Sequence, residues 1–337
     1  MNFADYQNHY NPLIEESLKS QLQRFQFGKS QNLMRMLTYH LGWDDNGIHG
    51  KRLRPLITLL CTQALGGNTQ SAMPAATAIE LLHNFTLIHD DIEDRSPMRH
   101  GRKTLWKRWG EAQAINAGDA LFSIAQLSIL DLKESVGFKA AIKAARYFNQ
   151  TCLQLTQGQY LDIALENECE TTLDTYLEMI QGKTGALIAF SAAVSGVIAG
   201  TDQTNIGLLK TFGESLGIAF QIQDDFLGIW GDPDITGKSA VSDILAKKKS
   251  LPVLFGLQNC DEFRRLWSKG DVNPEQVKRM AGILETCGAK AYVRNSAEQY
   301  TVKAFRALKN LFPSNAQENE PAEALFELTE DLLGREF

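Results

Sequence analysis

The sequence predicts an all-α protein, and three observations carry that prediction. Apolar residues recur mostly at helical spacing, strand-like alternation is scarce, and nine prolines in 337 residues leave room for long uninterrupted helices. The composition, 44% hydrophobic and 22% charged, is that of an ordinary globular chain. The length would allow two domains of about 150 residues each. No Gly/Ser-rich or Pro-rich linker marks a boundary, so one large helical domain over residues 1–337 is expected.

In chain order, Met1 to Tyr10 is polar and lacks the apolar core of a signal peptide. Helices are predicted at Arg54 to Leu65, Ala72 to Ile92, Gly118 to Leu132, Ala140 to Ile163, Leu173 to Ile198, Ile206 to Ile229 and Leu251 to Leu257. Further helices are predicted at Pro274 to Cys287, Ala289 to Leu311 and Pro321 to Leu333. The breaks between them are short and carry turn residues: Gly66-Gly67-Asn68, Gly200 to Thr204, Gly231 to Gly237 and Pro313 to Glu320. The apolar run Ile188 to Ala199 is twelve residues long. A membrane span needs about 20, so this run reads as a buried helix and no span is expected.

A net charge of −6 and a pI near 5.6 argue against a nucleic-acid partner. Five scattered cysteines form neither a CxxC pair nor a Cys/His cluster, which points away from zinc and disulfides and toward reduced thiols in the cytoplasm.

Two acidic motifs stand out. In Glu80-Leu-Leu-His83-Asn-Phe85-Thr86-Leu-Ile-His89-Asp90-Asp91-Ile-Glu93-Asp94, the four-residue spacing puts Asp90 and Asp94 on one helix face, with His83 on the same stripe. Carboxylates so placed repel unless a cation lies between them, and hard oxygen donors suit Mg²⁺ completed by substrate phosphates. The Asp44-Asp45 pair, inside Gly-Trp-Asp-Asp-Asn-Gly, reads as a turn instead. The second motif, Phe220-Gln221-Ile-Gln-Asp224-Asp225-Phe-Leu-Gly228, is again read as an apolar helix ending in paired carboxylates. Gly237-Lys238, Asp243 and Lys247-Lys248-Lys249 follow it.

Three other turns combine glycine with cations: Gly50-Lys51-Arg52-Leu53-Arg54-Pro55, Arg99-His100-Gly101-Arg102 and Gln181-Gly182-Lys183-Thr184-Gly185. Glycine admits an oxyanion to the backbone and Lys or Arg supplies charge. Together these motifs describe a site for two diphosphates and several metal ions.

At these residues the chain resembles the trans-isoprenyl diphosphate synthases of the polyprenyl synthetase family, which includes farnesyl and geranylgeranyl diphosphate synthases. The resemblance runs from Gly50 to Pro252. It rests on Gly-Lys-x-x-Arg-Pro, Asp-Asp-x-x-Asp, Gly158-Gln-x-x-Asp162, Lys183-Thr184, Phe-Gln-x-x-Asp-Asp and Gly237-Lys238, in family order. It implies helices bundled around a central cavity, a homodimer, and condensation of isopentenyl diphosphate with an allylic diphosphate. By position it makes Asp90, Asp94 and Asp224 ligands of Mg²⁺, and Arg99, Lys183, Lys238 and Lys248 contacts of the allylic diphosphate. Lys51, Arg54 and His83 would take isopentenyl diphosphate, and Thr184 and Gln221 would line the pocket beside the reacting carbons.

There are two departures from the family pattern. His100 stands where many members carry a second Arg for isopentenyl diphosphate, a role that histidine fills only when protonated. Gly228 stands where the second motif often ends in Asp, leaving Asp224 without a carboxylate one turn on. An aromatic at Phe85 with a small residue at Thr86 resembles the geranylgeranyl arrangement and makes these two the expected chain-length residues. Farnesyl diphosphate is the alternative product. A class I terpene cyclase and a non-catalytic subunit of a heteromer are the competing readings. The first would not need Lys51 and Arg54, and the second would not need Asp90, Asp94, Asp224, Lys183 and Lys238.

Overall fold

Asn2 caps the first helix with a full capping box, its side chain accepting from the Asp5 N–H. That helix, α1, runs Phe3–Gln23 and buries Tyr6, Tyr10, Ile14, Leu18 and Leu22, an almost unbroken four-residue stripe. The structure, a computed structural model, describes residues 1–25, 28–44, 50–167, 171–232, 241–269, 273–313 and 319–334. Asp45, Gly237 and Lys238 lie outside the described residues.

The expected all-α fold is found. After α1 come α2 (Gln31–His40), α3 (Leu53–Ala64) and α4 (Thr69–Glu93). A two-stranded hairpin, Met98–Arg99 with Arg102–Lys103, precedes α5 (Leu105–Trp109), α6 (Glu111–Leu130), α7 (Lys133–Val136) and α8 (Phe138–Asn167). Then follow α9 (Leu173–Ile180), one π-helical turn at Gln181–Gly185, α10 (Ala186–Ile198) and α11 (Gln203–Trp230). The remaining described helices are α12 (Ser242–Leu245), α13 (Leu251–Asn259), α14 (Asp261–Trp267), α15 (Pro274–Thr286), α16 (Ala289–Leu311) and α17 (Glu320–Gly334).

Two expectations are corrected. The first fifty residues hold two helices where none was predicted. Asp224 and Asp225 do not end their helix, because α11 continues to Trp230. The segment after Asp94 forms a hairpin, because His100 and Gly101, at φ 49° and 75°, adopt the left-handed pair of a tight turn. The apolar run is a buried helix as expected, and no described helix is long and apolar enough to cross a membrane. None of the described cysteines is in a disulfide.

The chain divides into two compact units. The first takes Met1–Asn149, Ser191–Ile206 and Asn315–Leu325; the second takes Gln150–Phe190, Gly207–Ser314 and Phe326–Phe337. In the first, α4 packs chiefly on α6. Small residues permit the approach: Ala72, Ala75, Ala76 and Ala78 on α4, Ala114, Ala117 and Gly118 on α6, all buried. A methyl on Gly118 would lie 2.4 Å from His89 Nε2, so glycine there lets the His89 ring lie against α6. In the second unit, Tyr176, Ile222, Phe226 and Leu251 share one core and Ile229, Phe263, Met280 and Leu284 another.

Candidate functional site

In the first unit the site begins at the C-terminal turns of α4. Asp90 is half-buried and Asp94 exposed, and the Asp94 N–H donates to the Asp90 carbonyl at 2.8 Å. The residue between the stripes behaves differently. Asp91 is only 2% exposed; its two oxygens share the Arg99 Nε–H, at 2.9 and 3.1 Å, and Nη2 lies 2.9 Å from Oδ1. Burial pushes the Asp91 carboxyl up, and Arg99 opposes it. Arg99 thus reaches the site pre-oriented by a buried acid.

A cavity of about 120 Å³ opens beside this pair, lined by Arg52, His83, Asp91, Arg99, His100 and Arg102 among others. His100 lines it from the left-handed turn. Arg102 lies over the Tyr39 ring at 4.0 Å. Arg54 Nη1 is 3.2 Å from His83 Nε2. Burial, then Arg54, hold His83 well below its ordinary pKa, so the ring is neutral and Nε2 accepts. Lys51 is exposed and does not line the cavity; its carbonyl accepts from Gln7 Nε2 at 2.9 Å. Arg52, to which no role was given, is the buried framework cation. It donates to Glu15 at 2.6 Å, to Glu80 at 2.5 Å and to the Leu41 carbonyl at 3.3 Å.

His40 also lines this cavity, pushed down to about 3 by burial and then by Arg99 and Arg52. Its unfolded value is about 6.5, so between those values the unfolded chain binds more protons and the folded state loses stability as pH falls. The melting temperature is expected to drop as pH is lowered from about 6.5 toward 3. His40→Gln flattens that slope in thermal unfolding followed by circular dichroism; an unchanged slope assigns the acid sensitivity to other groups.

Farther back on α4, the Phe85 ring packs on His89 at 4.6 Å and on Phe122 of α6 at 5.1 Å. The Thr86 hydroxyl donates to the His83 carbonyl at 2.7 Å. Phe122 is an aromatic neighbour that sequence spacing did not single out.

In the second unit, glycine sets the geometry. A methyl on Gly158 of α8 would fall 2.1 Å from the Lys183 backbone nitrogen, and one on Gly182 2.8 Å from the Gln154 carbonyl oxygen. The two backbones therefore cross in contact, and Lys183 Nζ meets Asp162 Oδ2 at 2.5 Å. Lys183 and Thr184 sit on the π turn, a distortion common at functional sites. The Thr184 hydroxyl donates to Gln221 Oε1 at 2.9 Å.

On α11 the two aspartates divide as on α4. Asp224 is exposed, whereas Asp225 is 1% exposed and bonded on both oxygens. Tyr176 Oη at 2.5 Å and the Leu251 N–H at 2.9 Å donate to its Oδ2; Gln221 Nε2 donates to Oδ1 at 3.1 Å, with Lys248 Nζ 3.5 Å away. Of the lysine run, Lys248 joins this group. Lys247 donates to the Trp267 carbonyl at 2.8 Å and Lys249 to the Leu165 carbonyl. Asp225, above all, holds the Lys248 ammonium well above the ordinary lysine range. A methyl on Gly228 would lie 2.6 Å from the Asp243 carboxylate, so Asp243 fills the space a side chain at 228 would take.

Thr184, Gln221 and Lys248 are thus drawn together in the second unit, and His83, Arg99 and His100 line one cavity in the first. Lys238 lies outside the described residues. Asp91, Asp225, Tyr176 and Asp162 were not singled out as site residues.

The donor set suits a hard cation. Among the described residues no three His, Cys, Asp or Glu side chains are grouped to hold a metal ion by themselves. Carboxylate pairs such as Asp90 with Asp94 fit Mg²⁺, which takes one or two carboxylates and fills its shell with water and substrate phosphates. The Asp243 carboxylate in the Gly228 cradle supplies acid where the second motif lacks it.

The polyprenyl synthetase family model matches residues 32–286. A (2E,6E)-farnesyl diphosphate synthase of Mycobacterium tuberculosis (strain ATCC 25618 / H37Rv) is 42% identical over 224 residues, 65% of this chain and 61% of its own length. The chain thus spans less than two thirds of that relative. The geranylgeranyl pyrophosphate synthase of Geoglobus acetivorans is 37% identical over 97% of this chain and 96% of its own. The solved geranylgeranyl pyrophosphate synthetase from Pyrococcus horikoshii Ot3 superposes with a TM-score of 0.88 at 32% identity, covering 99% of this chain and 98% of that one. Sequence match, fold and motif order agree, and the chain belongs to the polyprenyl synthetase family.

Proposed function

We propose that this protein is a Mg²⁺-dependent trans-prenyltransferase that condenses isopentenyl diphosphate with an allylic diphosphate, giving a linear isoprenyl diphosphate. The observation that carries the reading is the cationic cavity at the end of α4, where Arg99 is fixed by a buried carboxylate next to Asp90 and Asp94. Sites for diphosphates need fixed cations and hard-metal ligands side by side.

In this reading Asp90, Asp94 and Asp224 hold Mg²⁺, which when bound neutralises the charge that builds on the departing diphosphate. Arg99, Lys183, Lys238 and Lys248 donate to that diphosphate. The acids that hold Arg99, Lys183 and Lys248, buried Asp91 and Asp225 and half-buried Asp162, keep them from reorganising as the allylic C–O bond breaks. Lys51, Arg54 and His100 bind isopentenyl diphosphate, with neutral His83 orienting Arg54. The isopentenyl double bond forms the new C–C bond to the allylic cation, and the released diphosphate takes the proton that is lost. Apolar side chains exclude water from the cation. The test is to incubate the purified protein with Mg²⁺, isopentenyl diphosphate and each allylic primer. A longer prenyl diphosphate is expected, lost on chelation; no product from any primer overturns the reading.

The proposed main product is geranylgeranyl diphosphate, supported by Phe85 with Thr86 and by the relative matched over nearly the whole chain. Phe85→Ala is expected to lengthen the product and Thr86→Phe to shorten it, each by one five-carbon unit. Chromatography of dephosphorylated products decides; an unmoved length distribution places the floor elsewhere.

We further propose a cytoplasmic homodimer. Its support is the apolar surface on α6 and α8, where Phe138 and Ile142 are 71% and 65% exposed, with Leu127 and Leu130 nearby in sequence also exposed. Light scattering is expected to give twice the chain mass, and Phe138→Asp with Ile142→Asp the monomer. A monomeric parent protein ends this reading.

A further inference from the structure

Asp225 does more in this fold than neutralise a lysine. Its two oxygens face different groups. Oδ2 takes the Tyr176 hydroxyl and the Leu251 N–H, both buried parts of the framework. Burial and Asp225 raise Tyr176 well above its ordinary pKa, so its hydroxyl stays a donor. With Oδ2 so occupied, Oδ1 has only one direction left. It takes Gln221 Nε2 and lies near the Lys248 ammonium.

That bond fixes which end of the Gln221 amide points where. The NH₂ faces Asp225, so the carbonyl faces Thr184 and accepts its O–H. The Thr184 hydroxyl proton is then committed to Gln221, and its lone pairs are left to accept. A buried acid thereby sets the polarity of two pocket side chains.

Building on the proposed function, we propose that Asp225 is a positioning residue, not a metal ligand: anchored by Tyr176 and Leu251, it orients the Gln221–Thr184 relay and the Lys248 ammonium toward the allylic diphosphate.

The charge pattern gives a specific test. In Asp225→Asn the two framework donors claim the amide carbonyl, which turns the new NH₂ toward Gln221 and Lys248, both donors. Donor faces donor, Gln221 must flip, and Lys248 is displaced. Gln221→Glu alone sets a second carboxylate against Asp225. The double variant makes the network complementary again. The amide NH₂ introduced at position 225 donates to one oxygen of the carboxylate introduced at position 221. Thr184 donates to the other oxygen, and the net charge of the network returns to that of the parent.

The experiment measures steady-state kinetics and thermal melting for the parent protein, each single variant, the double variant and Asp224→Asn. Each single is expected to lower kcat/KM for the allylic substrate by about 100-fold and to melt earlier. The double is expected to recover to within about tenfold of the parent and to regain most of the melting temperature, a non-additivity that only a shared network produces. The half-saturating Mg²⁺ concentration stays within about twofold in Asp225→Asn and rises about tenfold or more in Asp224→Asn. Tyr176→Phe, which keeps the Leu251 anchor, gives a smaller loss of the same kind and serves if Asp225→Asn does not fold.

A rise in half-saturating Mg²⁺ for Asp225→Asn overturns the proposal in favour of a metal ligand. Additive losses in the double variant, or melting changes with unaltered allylic constants, overturn it in favour of a structural acid. If the parent protein makes no product, the proposed function fails instead, while the melting cycle still reports whether positions 221 and 225 form one network.

Discussion

Asp90→Ala and Asp224→Ala are each expected to remove nearly all turnover from a protein that still folds. A lost ligand removes several kcal/mol of stabilisation of the departing charge, about a thousandfold or more in rate. The fold is expected to tolerate the change because Asp90 is only half-buried and Asp224 exposed. Their neighbours would not behave this way. Removing Asp225 leaves buried donors unmatched, and removing Asp91 takes the partner from half-buried Arg99, so each lowers stability as well as activity. Turnover measured beside a circular dichroism melt separates the two kinds of aspartate. Near-normal turnover in folded Asp90→Ala would sink the metal assignment.

Gly158→Ala is expected to have the largest effect on stability. The added methyl would sit 2.1 Å from the backbone nitrogen of Lys183, and backbone cannot swing aside as a side chain can. Overpacking of this kind costs about 3 kcal/mol, and separating the two helices also takes Lys183 from Asp162. Gly207→Ala on α11 is the matched control. Nothing lies within 4 Å of its added methyl, so the helical position should gain about 0.5–1 kcal/mol. Urea unfolding of both variants checks the pair; equal midpoints would mean that the helices do not cross in contact.

Much of this was legible in the chain. Asp90, Asp94 and Asp224 could be read as metal-facing because their spacing and neighbours carry the chemistry. The inward role of Asp91 and Asp225 was also written there, less plainly. Asp91 continues the stripe of Asn84 and Ile88, and Asp225 that of Ile222, Phe226 and Ile229, all buried. A helix turns about 100° per residue, so adjacent aspartates must face different surroundings. The first helix was missed because its polar composition hides the stripe from Tyr6 to Leu22. Other features had no local signal. Asp162 and Lys183 are 21 residues apart on different elements, and only the close crossing at Gly158 and Gly182 brings them together. The fixing of Lys247 and Lys249 by main-chain carbonyls is equally tertiary, and a run of three lysines reads as solvated until the fold supplies those acceptors.

The π turn at Gln181–Gly185 has a consequence for insertions and deletions. Such a turn holds more residues than an α turn of similar rise, so the segment between Ile180 and Ala186 carries surplus chain. Deleting one residue there would let the helix close into regular α geometry with its flanks in phase, but the residues left in the turn would be re-aimed, each by up to about 100°. Lys183 and Thr184, which the turn carries, would then leave their present directions. Substitutions in this stretch can be absorbed one side chain at a time, but a change of length cannot, so the number of residues here is constrained more tightly than most of their identities.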